Sequence, residues 1–350
     1  MRFRQSVQQG VMGIITFFLV ILSIIALPVS AQTSSTEKPT EAWNADAAPA
    51  ESWDANAAGA SAPLTMVWQT AFTPETALSS PGDIGIDRDG NIYVSTQSMN
   101  TVKKFDRDGN YLMEWGSHGK GDGQFALSLG VGVDAENNVY VTDFYNIRIQ
   151  KFDSEGNFLK QWPNQASTNP AFLAVDNQGN VYVNEFPPHT HNYVQKFDTE
   201  GNLLVEWGNE DKKFAGRTED IAVDADGNLY VTDPLKHRVQ KLSPDGELLA
   251  TFGGDASRDG NGLFDDPFGI TVDNDGNIYV LDSHFLQKLD WEGNFITQWS
   301  TDEDTELEEA TNVAVDSEGY IYVFAKGDVT TASGSQARMM VLKKLQQGEW

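Results

Sequence analysis

The chain contains no cysteine, which removes disulfides, thiolate zinc sites and cysteine nucleophiles together. Its chemistry has to come from five histidines and a surplus of carboxylates, 51 acidic against 24 basic residues. His237 and His284 each follow a carboxylate closely, in Asp233-Pro234-Leu235-Lys236-His237 and Asp282-Ser283-His284. Imidazole near carboxylate can bind zinc or exchange protons near neutral pH, so these two histidines are the candidate catalytic residues. Asp83, Asp220 and Asn312 form a second set, two acids and an amide. All-oxygen ligands suit a hard divalent cation such as calcium. Whether either set assembles depends on the elements that carry it.

Those elements come from a repeat. Alternating apolar segments end at Asp87, Asp134, Asp176, Asp224, Asp273 and Asp316, at intervals of 47, 42, 48, 49 and 43 residues. A tight turn follows, as in Asp89-Gly90-Asn91 and Asp275-Gly276-Asn277, and then a β-rich stretch such as Ile92-Tyr93-Val94 or Ile278-Tyr279-Val280. Glycine and asparagine accept the positive φ of hairpin turns, and aromatic and β-branched residues favour strand. A third alternating segment and a second glycine turn lead to a fourth, ending in Trp115, Trp162, Trp207, Phe252 or Trp299. Four antiparallel strands per unit of this length make one blade of a propeller, so the sequence predicts an all-β, six-bladed β-propeller. The sixth unit stops at Gly348-Glu349-Trp350, where its fourth strand should begin, while an orphan strand-like segment, Leu64–Trp68, precedes the first unit. That N-terminal strand is expected to complete blade six and so close the ring, which removes an exposed sheet edge.

Gly-Asn-Ile-Tyr-Val (Gly90–Val94), Arg-Val-Gln-Lys-Leu (Arg238–Leu242) and the connector Trp115–Phe125 resemble the NHL-repeat family across about Leu64 to Trp350. No recurring Trp-Asp signature and no double-glycine pattern points instead to WD40 or kelch repeats. The resemblance implies a scaffold used by ubiquitin-ligase recognition domains, a peptidyl-amidating lyase and many secreted bacterial proteins. The ligase role fails here, because a RING domain needs cysteines. Similar six-bladed folds serve metal-dependent lactonases, and the Asp83, Asp220, Asn312 set resembles their acid-and-amide calcium site.

Strand order assigns residues to faces. Loops between strands two and three, and between blades, share one face, called the top. All five histidines fall there: His118, His189, His191, His237 and His284. Asp143, Glu185, Asp233 and Asp282 end the second strands on the same face, and Asp143 with Arg148, like Asp233 with Arg238, is placed to brace a hairpin. Along the first strands, residues two before each repeat aspartate are small (Gly85, Gly132, Ala174, Ala222, Thr271, Ala314), as a crowded axis requires. Residues four before it include Asp83, Asp220 and Asn312, which alternation points into the channel mouth. The aspartate-rich bottom turns lack the alternating oxygen ligands of a calcium loop and read as turn chemistry. The connector Asp255–Asp265 could bind a cation, but its glycines and Phe264 match the other connectors. The acidic run Asp302–Glu309 reads as a solvated loop.

The N-terminus carries Arg2 and Arg4, an apolar run from Val11 to Leu27, and small residues before Gln32. This reads as a secretory signal peptide over residues 1–31, cut after Ala31 or else kept as an anchor, and predicts a secreted, periplasmic or cell-surface protein. Residues 32–63 form a low-complexity linker too poor in apolar surface to order itself. The net charge of −27 excludes nucleic acid as a partner. Two functions follow. The first is a binding scaffold whose top loops engage a protein, peptide or glycan. The second is a metal-dependent lyase or lactonase at the channel mouth, with calcium or zinc on Asp83, Asp220 and Asn312. A monomer is expected.

Overall fold

The computed structural model describes residues 63–348 except 71–77, 79, 166–167, 187–192, 209–213, 215–217, 255–260, 302–304 and 331–334. The segment read as a signal peptide, almost all of that read as a linker, His189 and His191 therefore lie outside the described residues, as do parts of the connector and of the acidic run.

Six four-stranded antiparallel sheets are present. Blade one runs Pro81–Ile86, Ile92–Thr96, Thr101–Phe105 and Tyr111–Trp115. Blades two, three, four and five begin at Ser128–Val133, Asn169–Val175, Ile221–Val223 and Gly269–Val272 and repeat the same order. Each blade's first strand contacts that of the next, and the first strand of blade six, Asn312–Val315, contacts that of blade one. The molecule is thus a ring of six blades, a six-bladed β-propeller. Leu64–Gln69 forms the outer strand of blade six, pairing antiparallel with Gln336–Gln347 from Leu64↔Gln347 to Gln69↔Lys343. The middle hairpin of blade six, Ile321–Thr330 with Gln336–Gln347, is longer than its counterparts; the repeat gave no sign of this extension.

The repeat aspartate organises each blade. Asp134 Oδ1 accepts the N–H groups of Glu136 and Asn138, and its Oδ2 accepts Asn138 Nδ2 at 2.8 Å and the Tyr140 hydroxyl at 2.8 Å. Asp87 binds Asn91 and Tyr93 in the same way, and Asp224 binds Asn228 and Tyr230. These turns therefore spend their carboxylate oxygens on their own backbone and tyrosine, the turn role expected of them. A third-strand lysine covers the tyrosine ring in every blade: Lys104, Lys151, Lys196, Lys241, Lys288 and Lys344 stand 4.8–5.3 Å from the ring centroids of Tyr93, Tyr140, Tyr182, Tyr230, Tyr279 and Tyr322. Lys151 also lies 3.4 Å from Asp134, so a buried carboxylate, phenol and ammonium satisfy one another.

The cores lie between neighbouring blades. Tyr93 of blade one packs with Val131, Val141 and Phe152 of blade two, and Tyr140 of blade two with Leu173 and Val183 of blade three. The fourth-strand aromatic of one blade lies beneath the glycine turn of the next. A Cβ on Gly156 would meet Trp115 at 2.8 Å, one on Gly201 would meet Trp162 at 2.5 Å, and one on Gly109 would meet Trp68 at 2.7 Å. These glycines have φ near +80°, a conformation costly for other residues, and the close approach leaves no room for a side chain.

Half of the acidic run departs from the solvated loop expected of it. Leu307 is buried in the core between blades five and six, Glu308 reaches Arg338 at 2.6 Å, and Glu306 reaches Lys343 at 3.0 Å. The long last hairpin supplies these cations, and neither its length nor its position was visible in the local sequence.

Candidate functional site

The first and second strands of blades one, two and three slip register near their top ends, between Pro81 and Ile84, Ser128 and Val131, and Pro170 and Leu173. Such a bulge leaves backbone groups unpaired, and a second-strand side chain satisfies them. Ser95 Oγ accepts the N–H of Asp83 at 2.9 Å, Thr142 Oγ1 that of Gly130 at 2.7 Å, and Asn184 Oδ1 that of Phe172 at 2.7 Å. In blade four, Thr232 Oγ1 accepts the N–H of Asp220 at 2.9 Å. Asp83 and Asp220 are thereby fixed at homologous places in blades one and four.

Both carboxylates reach across to the next blade. Asp83 Oδ2 accepts the N–H of Val131 at 3.0 Å, and Asp220 Oδ2 that of Ile270 at 2.9 Å. Their other oxygens accept the N–H of Ile84 and Ile221, each at 2.8 Å. Asn312 of blade six donates Nδ2 to Asp83 Oδ1 at 3.1 Å, while its own Oδ1 is buried with no hydrogen-bond partner. All three side chains are buried. Among the described residues no ion pair neutralises either carboxylate.

Burial without a counter-charge raises both acids. Desolvation pushes Asp83 up to about 7, against the pull of the N–H groups of Val131 and Ile84 and the Asn312 amide. Asp220 is raised well above the usual carboxylate range by desolvation first and then by the charge of Asp83. The two acids thus feel each other's field, and Asn312 touches one of them. A buried acceptor with no donor and two desolvated acids with no cation fit the donor chemistry of a hard divalent ion.

The small residues two places further along the strands are explained by the neighbouring blade. A Cβ on Gly132 would lie 2.5 Å from Leu173 Cδ1, and one on Gly85 would lie 3.2 Å from the Val131 carbonyl oxygen. Close approach of adjacent inner strands, rather than an open axis, sets their size.

His237 and His284 meet a different partner. His237 Nδ1 lies 3.7 Å from Asp265 Oδ1 and 3.9 Å from Asp266 Oδ1, and His284 Nε2 lies 3.3 Å from Asp265 Oδ2. Asp282 holds the loop of His284 by accepting its N–H at 2.8 Å. Among the described residues no hydrogen bond or ion pair joins either histidine to Asp83, Asp220 or Asn312. His118 is exposed. Asp143 pairs with Arg148 at 2.7 Å and Asp233 with Arg238 at 2.9 Å, bracing their hairpins. Glu185, which has no such cation among the described residues, is pushed up to about 7 by burial despite bonds from Thr168 and Asn164. A recess on the opposite face, between blades five and six, is lined by Asp273, Lys288, Glu318 and Gln347 among others. Its repeat aspartate already serves Asn277 and Tyr279.

No protein-family model and no curated protein matches the chain. Solved structures are similar. Virginiamycin B lyase from Staphylococcus aureus superposes with a TM-score of 0.56 at 13% identity, covering 81% of this chain and 99% of that one. A gluconolactonase from Xanthomonas campestris gives 0.55 at 15% identity, covering 81% and 89%. The calcium-binding protein regucalcin from Agrobacterium tumefaciens gives 0.56 at 10% identity, covering 82% and 96%. All are six-bladed β-propellers, and at such identities the likeness is one of fold.

Proposed function

We propose that the chain is an exported, NHL-type propeller that holds a divalent cation in its axial channel and uses it to hydrolyse or cleave a lactone- or ester-like substrate. The observation that carries this reading is Asn312 Oδ1, a buried acceptor without a donor on a side chain bonded to Asp83, together with Asp83 and Asp220, buried acids that feel each other's charge and have no counter-ion among the described residues. Asp83, Asp220 and Asn312 would hold the ion, which would polarise a substrate carbonyl. The chain's own part is to fix these oxygens. Ser95 and Thr232 orient the two aspartate backbones, and the bonds to Val131 and Ile270 keep the carboxylates from rotating away. That one structural neighbour is a gluconolactonase and another a calcium-binding protein supports the same kind of activity.

The test is calorimetric titration of metal-free protein with calcium and magnesium, followed by an assay on gluconolactone with and without the bound ion. Asp220→Asn and Asn312→Leu should each abolish saturable binding. A wild-type protein that binds neither ion, or that binds equally well with both residues changed, would end this reading.

A second reading is favoured by two side chains. Tyr145 is 66% exposed and Leu235 60% exposed, at matching places in the short 3-10 turns Phe144–Asn146 and Pro234–Lys236. They present apolar surface on the top face to a protein, peptide or glycan ligand. Loss of ligand binding in a Tyr145→Ser, Leu235→Ser double variant whose ion binding is intact would support it.

A further inference from the structure

The junction between blades one and two provides an internal reference for the junction between blades four and five. In the first, Leu127 N–H bonds Asn100 Oδ1, Ala126 N–H bonds Asp143, and Tyr145 N–H bonds the Ala126 carbonyl. In the second, Asp266 N–H points to His237 Nδ1, Asp265 N–H bonds Asp282, and Ser283 N–H bonds the Asp265 carbonyl. The carbonyls of Ile147 and His284 each accept the N–H of the residue following their own blade's fourth strand. Leu127 and Asp266 are both left-handed, with φ of 71° and 52°, as are Asn100 and His237, with φ of 58° and 51°. The same backbone therefore carries Asn100, Ala126 and Leu127 at one junction and His237, Asp265 and Asp266 at the other, while His284 shares with Ile147 the carbonyl bond but not its left-handed φ. Folding does not require the four ionisable residues, since the fold is built without them three blades away.

At the second junction these four converge. The ligand atoms of His237, Asp265 and Asp266 all lie within 4.8 Å of one another. His284 Nε2 approaches the second oxygen of Asp265 at 3.3 Å. Ligands about 2.0–2.1 Å from a tetrahedral zinc ion stand about 3.3 Å apart, so small side-chain shifts would suffice to enclose one. His237 and Asp265 are partly buried, while His284 and Asp266 are more open, which leaves a path for an ion and for water.

We propose that His237, Asp265, Asp266 and His284 form a second site, at the junction of blades four and five, for a borderline divalent metal ion of the zinc class. Imidazole nitrogen with carboxylate oxygen selects zinc or cobalt over calcium, whereas the axial set offers oxygen alone. The site joins two blades through their connector, so its occupant also ties blade four to blade five.

The experiment uses the full chain, free of any histidine tag and stripped of metal, titrated with cobalt and followed by visible absorption, with zinc as competitor. The variants borrow the first junction's residues: His237→Asn with Asp265→Ala, and separately His284→Ile. Changing even an outer partner of a metal ligand costs about 10–100-fold in affinity, and removing ligands costs no less. The expected result is a tetrahedral cobalt band in the wild type, displaced by zinc and lost in the double variant, whose thermal transition without metal is unchanged. Asp220→Asn should leave the band intact, which separates this site from the axial one. Absence of saturable cobalt and zinc binding in the wild type, or a band that survives the double variant, would overturn the proposal.

Discussion

Asn312 of blade six donates its side-chain amide to Asp83 of blade one across 229 residues of sequence. The bond joins the last innermost strand to the first, and it leaves the amide oxygen buried with nothing to accept from. Replacing Asn312 by leucine keeps the branched shape, with somewhat greater bulk, but removes the donor. Asp83 would then lose one of the groups that make its charge tolerable. The expected cost is about 1–3 kcal/mol in urea denaturation of the metal-free protein, together with loss of calcium binding.

The stability of the metal-free protein should fall as pH rises between about 4 and about 7. Folded Asp83 keeps its proton up to about 7, whereas the unfolded chain releases it near 3.8. Across that window the unfolded state binds fewer protons, so raising the pH favours it. Asp220, raised by the same burial, acts in the same direction. Urea midpoints measured through this range should show the slope in wild type and a reduced slope in Asp83→Asn, and added calcium should oppose it. The turn aspartates act oppositely and at lower pH. Asp198, held down by the Asn202 side chain, contributes stability that is lost only as pH falls below the usual carboxylate range.

Asp134→Ala should be among the most damaging single changes outside the channel. It strands Lys151 over Tyr140 without its carboxylate and strips four donors, the N–H groups of Glu136 and Asn138, Asn138 Nδ2 and the Tyr140 hydroxyl, of their acceptor. Removing one partner of a buried charged pair costs about 3–5 kcal/mol. Tyr140→Phe, which leaves the pair intact, should cost about 1 kcal/mol. Equal losses in the two variants would refute this account of the blade.

Gly246→Ala and Gly319→Ala form a matched pair. Both glycines have φ of +83°, but a Cβ on Gly246 would fall 1.7 Å from Trp207 Nε1, and one on Gly319 meets nothing within 4 Å. The second change measures the left-handed backbone alone, about 1–2 kcal/mol. The first should cost clearly more and should alter tryptophan fluorescence, because Trp207 has to move.

The blades were legible because their landmarks are local. An aspartate, a turn and a tyrosine lie within seven residues, from Asp87 to Tyr93, and their mutual bonds form inside one hairpin. The lysine over each tyrosine was not legible, since it arrives from the next strand and strand alternation does not say which ring it covers. Asp83, Asp220 and Asn312 were found by counting back from the repeat aspartate. Their use as acceptors for the neighbouring blade depends on a register slip that the pattern does not carry. His237 and His284 could be recognised as equivalent positions. Asp265 and Asp266, which stand between them, belong to a connector of variable length, so periodicity gave no reason to place them there.

The aromatic beneath the following glycine recurs around the perimeter, from Trp68 under Gly109 to Phe252 under Gly293. An open stack of repeats could relieve a wedge at one such contact by splaying its free end. A closed circle has no free end, because the angles between its members must sum to a full turn. An error at one spoke therefore has to be shared by the others, and its effect should reach the inner strands, where Asp83 and Asn312 meet. Distant perimeter changes are thus a means of tuning the axial oxygens without touching them.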